Sequence, residues 1–416
     1  MVVAIAPVLI AIASFVLRIF NIASIKSMIF DEIYYVDGAR DLLKYGVEVT
    51  GADPEFVVHP PVGKWLIGSG IQLFGDNPLG WRFTTALVGS LMILIVAAIA
   101  HRLFYSPLLT ALASALMAID GLALVHSRTA LLDNFLAFFI LTATYFFISR
   151  KYWWTCFFLG LALSTKWSAL YFIAVFGLIA LYRAFAHHTG RDLIRPTLIR
   201  IAAFGILPIS VYITSWWGWF ASNRGWDRDH SNNPIASFIF YHKEMLNFHT
   251  GLTSKHPYEA NPWSWLIMGR PTSFYYETPK NCGATSCSQE VLALGTPLLW
   301  WLGTIAIAVV FGFWIRSFFT RRFDPAVTVI VAGISAGYLP WFFFQARTVF
   351  SFYAIIFEPF LILALVYCAR LIKNHYVIGA VFILIALNFI YFLPLYLGQV
   401  TTYEAWHAHM WFASWI

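Results

Sequence analysis

Residues 30 to 64 read FDEIYYVDGARDLLKYGVEVTGADPEFVVHPPVGK. An acidic pair, Asp31-Glu32, stands directly behind the first long apolar segment, and Lys64 closes a proline-stiffened turn, His59-Pro60-Pro61-Val62-Gly63-Lys64. Carboxylates where a membrane span meets the aqueous phase, followed by a cation presented at a fixed angle by Pro61, suggest a base and an anion holder facing one cavity. This polar loop lies between two long apolar runs, so its surroundings decide the fold class.

Those surroundings are a bilayer. The chain is 60% hydrophobic, 19% aromatic and 11% charged, against about 25% charged in soluble domains. Several apolar runs reach the roughly 20 residues that cross the hydrocarbon layer. They are continuously apolar, which excludes a β-barrel of alternating strands. The fold class is therefore an all-α polytopic membrane protein, 1–416 forming a single membrane domain. Eleven spans are expected, starting at roughly residues 1, 82, 106, 129, 152, 167, 198, 296, 326, 351 and 375. Met1 to Asn21 is read as a span, since it lacks the charged leader and A-x-A exit of a cleaved signal.

The net charge of +7 is a matter of orientation and not of nucleic acid, because the basic residues sit between apolar segments and form no stripe. With the N-terminus cytoplasmic, the short inner loops hold Arg102, Arg150, Lys151, Arg183, Arg191, Arg195, Arg200, Arg316, Arg321, Arg322, Arg370 and Lys373. The short outer loops hold only Arg128, Lys166 and Arg347. The C-terminus is then outside.

Two outer loops are large enough to do chemistry. The first, 23–80, is expected to carry surface helices over Asp37 to Tyr45, ended by Gly46, and over Val62 to Phe74. The second, 221–295, has little apolar periodicity and is expected to cover the membrane surface as a cap. Cys282 and Cys287 are its candidate disulfide, whereas Cys156 and Cys368 lie in apolar runs. Trp406, Trp411 and Trp415 in the tail read as an interfacial aromatic belt.

Among the chemical groups, Asp31 suits a base and Glu32 an acceptor-orienting role. Arg128, Lys166 and Arg347 each break the positive-inside trend at the same depth, and together suit a lipid phosphate. Asp133, five residues after Arg128 in the sequence, reads as its local ion-pair partner. Glu358, deep in the tenth span, has to be protonated or paired. Arg18 and Arg82 either anchor at the interface or face Asp31 and lower its pKa. His59 and Lys64 are second candidates for donor contact. His230, His242, His249 and His256 show no zinc spacing, so no metal is assigned, and an assisting divalent cation is left open.

Several ordered motifs carry a resemblance over essentially the whole chain: Phe30-Asp31-Glu32-Ile33-Tyr34-Tyr35, His59-Pro60-Pro61-Val62-Gly63-Lys64-Trp65, Ser127-Arg128-Thr129-Ala130-Leu131-Leu132-Asp133 and Ser164-Thr165-Lys166-Trp167. Pro262-Trp263-Ser264-Trp265, Gly269-Arg270-Pro271-Thr272-Ser273-Phe274-Tyr275-Tyr276 and Phe352-Tyr353-Ala354 follow. The chain resembles the protein O-mannosyltransferases, especially the actinobacterial polyprenyl-phosphate-mannose type. That resemblance implies the GT-C glycosyltransferase fold with eleven spans and transfer of mannose, with inversion, from a polyprenyl phosphate to Ser or Thr of a secreted protein. It implies an active site on the outer face and acceptors arriving unfolded from the secretion channel; no cofactor is assigned, polyprenyl-phosphate mannose being the donor substrate. It places the proposed base on Asp31 and makes Arg18 and Arg82 important for activity. The chain departs from the family in having little of the usual bacterial leader, and its loop after the seventh span leaves no room for the fungal β-trefoil domain.

The reaction expected is proton removal from a hydroxyl by Asp31 while cations receive the charge on the departing phosphate. The alternatives are a GT-C enzyme with a lipid or glycan acceptor, and a secondary transporter using Asp31, Asp133 and Glu358. The absence of repeated halves speaks against the transporter.

Overall fold

Four helices begin on the same local signal. Asn77, Ser106, Asn233 and Asp324 each accept a backbone N–H with the side chain, and a proline follows at the first helical position. The cap satisfies a donor that the helix leaves orphaned, and the proline lacks the N–H that would be orphaned anyway. These signals punctuate a chain that is otherwise apolar in long stretches.

The computed structural model describes residues 2–280 and 282–416, and the side chains of 5–280 and 282–416. Helix α1 (Val2–Ile19) leads into a loop carrying α2 (Glu32–Tyr45), a small hairpin of β1 (Val49–Thr50) and β2 (Asp53–Pro54), and α3 (Val62–Phe74). Next come α4 (Pro78–Phe104), α5 (Pro107–Ala118), α6 (Gly121–His126), α7 (Leu132–Ile148), α8 (Tyr152–Leu163) and α9 (Ala169–His187). Helix α10 (Ile194–Ile201) runs through a π turn into α11 (Leu207–Ser215), followed by α12 (Trp217–Ala221) and α13 (Pro234–Gly251). Strands β3 (Thr272–Glu277) and β4 (Cys287–Ala293) precede α14 (Pro297–Thr320), α15 (Pro325–Gly337), α16 (Glu358–Leu371) and α17 (His375–Leu397). The chain closes with β5 (Val400–Thr402) and α18 (Tyr403–Ala408).

Ten of the eleven expected runs hold a helix that is apolar by length and composition, the exception being the run starting near 351, which holds α16, and length divides the ten. Six stretches among the described residues are long and apolar enough to cross a membrane: α4, α9, Gly190–Ser215, α14, Pro325–Phe344 and α17. The apolar helices Ile5–Ile19, α5, α7 and α8 are shorter. Twelve residues, the length of α5 and of α8, rise roughly 18 Å at 1.5 Å per residue. Hydropathy reads composition and is blind to breaks such as the one at Asp120, where α5 stops and α6 starts.

Lipid tails are as apolar as leucine, so helices in a bilayer associate by close packing and not by the hydrophobic effect. Helix α16 shows this on two sides. A Cβ on Gly303 of α14 would stand 2.2 Å from Leu361, and one on Gly333 of α15 would stand 2.1 Å from Phe360. Both glycines are therefore sockets for α16 side chains.

Three expectations need correction. The loop 221–295 has more regular structure than its composition suggests: α13 spans 18 residues, and β3 pairs antiparallel with β4, Thr272 opposite Ala293. The tail is not a simple aromatic belt. Strand β5 pairs with β4, Trp406 and Trp415 are buried, and their indole N–H groups donate to Glu290 and to the Met268 carbonyl. The first loop helix starts at Glu32, five residues ahead of the expected Asp37. Cys282 and Cys287 are bonded, with Cα atoms 5.9 Å apart, at the turn between β3 and β4.

Candidate active site

The acidic pair is split by the fold into two different jobs. Phe30 adopts the left-handed region, φ 49°, and its ring stacks on Phe274 at 4.7 Å and meets Phe352 edge-on at 5.3 Å. This anchor fixes the start of α2, where Asp31 is the cap residue and Glu32 the first helical one.

Glu32 turns inward and is fully buried. Its Oε1 accepts from Arg82 Nε at 2.8 Å and from the Ala130 N–H at 2.8 Å. Its Oε2 accepts from Arg82 Nη2 at 2.7 Å and from the Ile29 N–H at 2.9 Å. Arg82 spends its other three N–H bonds on the carbonyls of Ile22, Ile25 and Ser27. All five guanidinium donors are used. The pair is a closed clamp joining the first loop, α4 and the turn before α7. This geometry leaves Glu32 no lone pair aimed at an acceptor, and Arg82 none of its donors for Asp31.

Two other expected anion holders are also committed elsewhere. Arg128 Nη1 donates to the carbonyls of Leu17, Arg18 and Phe20, closing the C-terminal end of α1, where carbonyls are orphaned and the helix dipole is negative. Lys64 is buried and pairs with Glu48 at 2.6 Å, tying α3 to the small hairpin. The crevice next to that pair, between Trp65, Trp216, Trp219 and Trp226, holds only ≈ 20 Å³, too little for a sugar.

Arg18 is buried, with Nε and Nη2 unpartnered among the described residues. It bonds Ser14, and the acids whose charge acts on it are Glu358 and Asp120, not Asp31. Glu358, fully buried at the head of α16, likewise has no hydrogen-bond partner for either oxygen among the described residues. Asp120 is saturated by donors from Leu122, Ala123, Thr296 and Trp300. Arg18 and Glu358 therefore belong to an interior group separate from the acidic pair's loop.

The remaining groups do converge. Lys166, in the turn between α8 and α9, donates to both oxygens of Asp133 at 2.8 and 3.0 Å and lies 4.9 Å from the centre of the Tyr353 ring. Asp133 is thus the partner of Lys166 and not of Arg128. Burial opposes the Lys166 charge, yet Asp133 holds its pKa above the ordinary lysine value. With His59, His249 and Arg347, these residues wall a cavity of ≈ 220 Å³. Trp167, Tyr171, Trp341 and Phe344 supply an aromatic wall. A cavity with a broad apolar and aromatic wall and a few convergent polar groups, Lys166, Arg347, Asp133 and the two histidines, has the character of a site for a lipid-linked sugar.

Asp31 is not itself part of that wall; it stands beside it. The Tyr35 hydroxyl lies 3.5 Å from its Oδ2. Burial pushes its pKa up to about 6, with Lys166 opposing the rise and Asp133 adding to it. Unlike Glu32 and Asp133, it has no ion pair among the described residues. A carboxylate whose pKa lies just under neutrality, without a cation clamped to it, is the form a general base takes.

Helix α13, missing from the sequence reading, positions the histidines. The Tyr241 hydroxyl donates to the Val57 carbonyl at 2.8 Å and accepts its N–H at 3.1 Å, holding the irregular segment that ends in His59. His249 Nε2 donates to the Val58 carbonyl at 2.8 Å, which leaves Nδ1 as the acceptor facing Arg347 Nη2 at 3.4 Å. Burial drives His59 well below the usual histidine pKa and His249 down to about 4, so both are neutral at physiological pH. Sequence signals for α13 existed: the Asn233-Pro234 start, and Tyr241, Met245 and His249 at four-residue spacing. Among the described residues no group of His, Cys, Asp and Glu is arranged to hold a metal ion.

Two family models match the chain. One, described as dolichyl-phosphate-mannose-protein mannosyltransferase, covers residues 8–221, and one, described as the C-terminal four-transmembrane region of protein-O-mannosyltransferase, covers 234–415. Polyprenol-phosphate-mannose–protein mannosyltransferase of Corynebacterium glutamicum is 33% identical over 98% of this chain and 92% of its own length. The Mycobacterium tuberculosis protein of the same name is 32% identical over 98% and 91%. Among solved structures, the Saccharomyces cerevisiae protein O-mannosyltransferase Pmt1-Pmt2 complex bound to the sugar donor superposes with a TM-score of 0.85 at 14% identity, over 100% of this chain and 93% of that one. ArnT of Cupriavidus metallidurans bound to undecaprenyl phosphate gives 0.54 at 17% identity, over 93% and 70%. The architecture is the GT-C glycosyltransferase fold in a multi-pass membrane protein. Matched along nearly its whole length by both family models and by curated relatives at about a third identity, the chain belongs to the protein O-mannosyltransferase family.

Proposed function

We propose that this protein transfers mannose from a polyprenyl-phosphate carrier to Ser or Thr hydroxyls of a protein, with Asp31 as the base. The observation that carries the reading is one carboxylate without an ion pair, Asp31, beside a cavity whose cations are Lys166 and Arg347. The named relatives, which use a polyprenol-phosphate-mannose donor and protein acceptors, support the substrate class.

Asp31 takes the hydroxyl proton as the oxygen attacks the anomeric carbon, and the carbon–oxygen bond to phosphate breaks with its electron pair moving onto the phosphate. Attack opposite the leaving phosphate inverts the sugar carbon. Lys166 and Arg347 receive the negative charge of the departing polyprenyl phosphate, the Arg347 guanidinium as a planar fork and Lys166 as a point charge. A phosphate leaves readily, so no separate acid is needed. His59 and His249, neutral, position without adding charge. The aromatic wall of Trp167, Tyr171 and Trp341 takes the sugar face and the first part of the lipid. The distribution of basic residues supports a cytoplasmic N-terminus and an outer-face site, where an unfolded acceptor leaving the Sec channel meets Asp31.

Incubating the purified protein with polyprenyl-phosphate mannose and a Ser/Thr peptide is expected to add one hexose mass to the peptide, in the anomeric configuration opposite to the donor's. Asp31→Asn is expected to abolish transfer while leaving the folded protein intact. Full activity in that variant, or modification of lipid and never of peptide, overturns the reading.

A further inference from the structure

A second large cavity lies at the far ends of the helices that frame the first. Helix α15 leads, through Pro325–Phe344, into the aromatic wall beside Arg347. At its opposite end, together with the end of α14 and Tyr367 of α16, it borders an open surface hollow of ≈ 510 Å³ lined by Arg316, Arg322, Ser317, Thr320 and Asp324. Arg321 turns the chain there in the left-handed region, φ 54°, which places Arg316 and Arg322 on the same hollow.

The charges of this hollow are not balanced internally. Asp324 is spent on capping the Ala326 N–H at 2.8 Å and on Arg370, 3.7 Å away. Arg316 and Arg322 are exposed, and among the described residues neither has a carboxylate within ion-pair distance. Ser317 and Thr320 donate to the Phe313 and Arg316 carbonyls, so the charged donors of the hollow are the guanidiniums. Beside it runs an apolar flank. Phe318, Phe319 and Phe323 are exposed, and Phe318 packs edge-on against Trp314 at 4.8 Å and Phe323 at 5.3 Å. Two unpaired guanidiniums over a hollow, with an exposed aromatic strip alongside, match a phosphate headgroup and its acyl chains.

We propose that this cavity binds the phosphate of an anionic glycerophospholipid from the leaflet opposite the catalytic cavity, with the acyl chains laid over Phe318 and Phe323. Basic pockets between membrane helices recognise such headgroups, and each cation contributes about 1 kcal/mol near an anionic surface. A general excess of positive charge on this face would attract anionic lipid diffusely; this hollow would hold one molecule.

The test is native mass spectrometry of the full chain in detergent, with phosphatidylglycerol offered against an excess of phosphatidylcholine. One phosphatidylglycerol is expected to stay bound. Arg316→Gln with Arg322→Gln is expected to weaken it roughly thirtyfold, and Arg316→Lys with Arg322→Lys to retain it within a few fold. Arg191→Gln with Arg195→Gln, on an exposed turn elsewhere, is expected to change nothing. Unchanged retention in the Gln pair, equal loss in the Arg191 and Arg195 control, or loss in the Lys pair as complete as in the Gln pair overturns the proposal. Displacement of the lipid by inorganic phosphate at the same concentration also overturns it, since that assigns a free-anion site.

Discussion

Glu32→Gln separates the clamp seen here from the acceptor-binding role that its place beside Asp31 suggests. The amide keeps the shape and removes one acceptor. If its NH2 replaces Oε1, it meets the donors of Ala130 and Arg82 Nε; if it replaces Oε2, it meets those of Ile29 and Arg82 Nη2. Either rotamer orphans two buried donors, at roughly 1–3 kcal/mol each. The guanidinium is also left buried without its counter-charge, so the total falls near the cost of about 3–5 kcal/mol for breaking a buried ion pair. The clamp fixes residues 22 to 32 against α4, so its loosening also displaces Asp31, and a shift of about 1 Å at a reacting group costs on the order of a hundredfold in rate. Thermal unfolding of the purified variant and steady-state transfer to a Ser/Thr peptide measure both. The expected result is a lower melting temperature with a kcat reduced by about that factor and a nearly unchanged acceptor KM. A normal melting temperature and kcat with a raised acceptor KM would refute the clamp and return Glu32 to the acceptor.

In the proposed mechanism Asp31 works as a carboxylate, and its pKa is raised to about 6, so kcat/KM is expected to rise with pH through that value and level off above it. Lys166 favours the charged form of Asp31 and Asp133 disfavours it, so Lys166→Gln moves the limb to higher pH as well as weakening donor binding; a limb that stays in place denies the coupling. In the interior, Arg18→Met and Glu358→Leu are each expected to lower the melting temperature by removing one of two buried groups that act on each other. The double variant is expected to be better than the sum by roughly 0.5–3 kcal/mol, whereas strict additivity would mean that the two groups do not interact.

Much of this protein was legible without coordinates because its signals are local. Long apolar runs identify membrane helices wherever they occur, since a bilayer demands length and apolarity and little else. The motif Asp31-Glu32 and the turn around His59 mark the loop that borders the cavity, and Val62–Phe74 is helical as its anchoring pattern implies. Helix α13 escaped because its composition is mixed and its loop long, so tertiary packing against Val57 and Val58 had to reveal which face mattered.

What sequence could not decide was the pairing of charges. Glu32 and Arg82 are fifty positions apart, and Lys166 and Asp133 thirty-three. Arg128, five residues from a plausible partner in Asp133, reaches instead across to the end of α1. In a low-dielectric interior every ion must find a counter-charge or a ring of dipoles, and any of several arrangements satisfies that demand equally well on paper. Composition and order determined that this is a membrane protein with an acidic loop, and its ordered motifs carried the resemblance to a family of enzymes. Only the packing of α1, α4 and α7 around that loop decided that Glu32 is locked into the frame by Arg82 while Asp31 is left without an ion pair among the described residues.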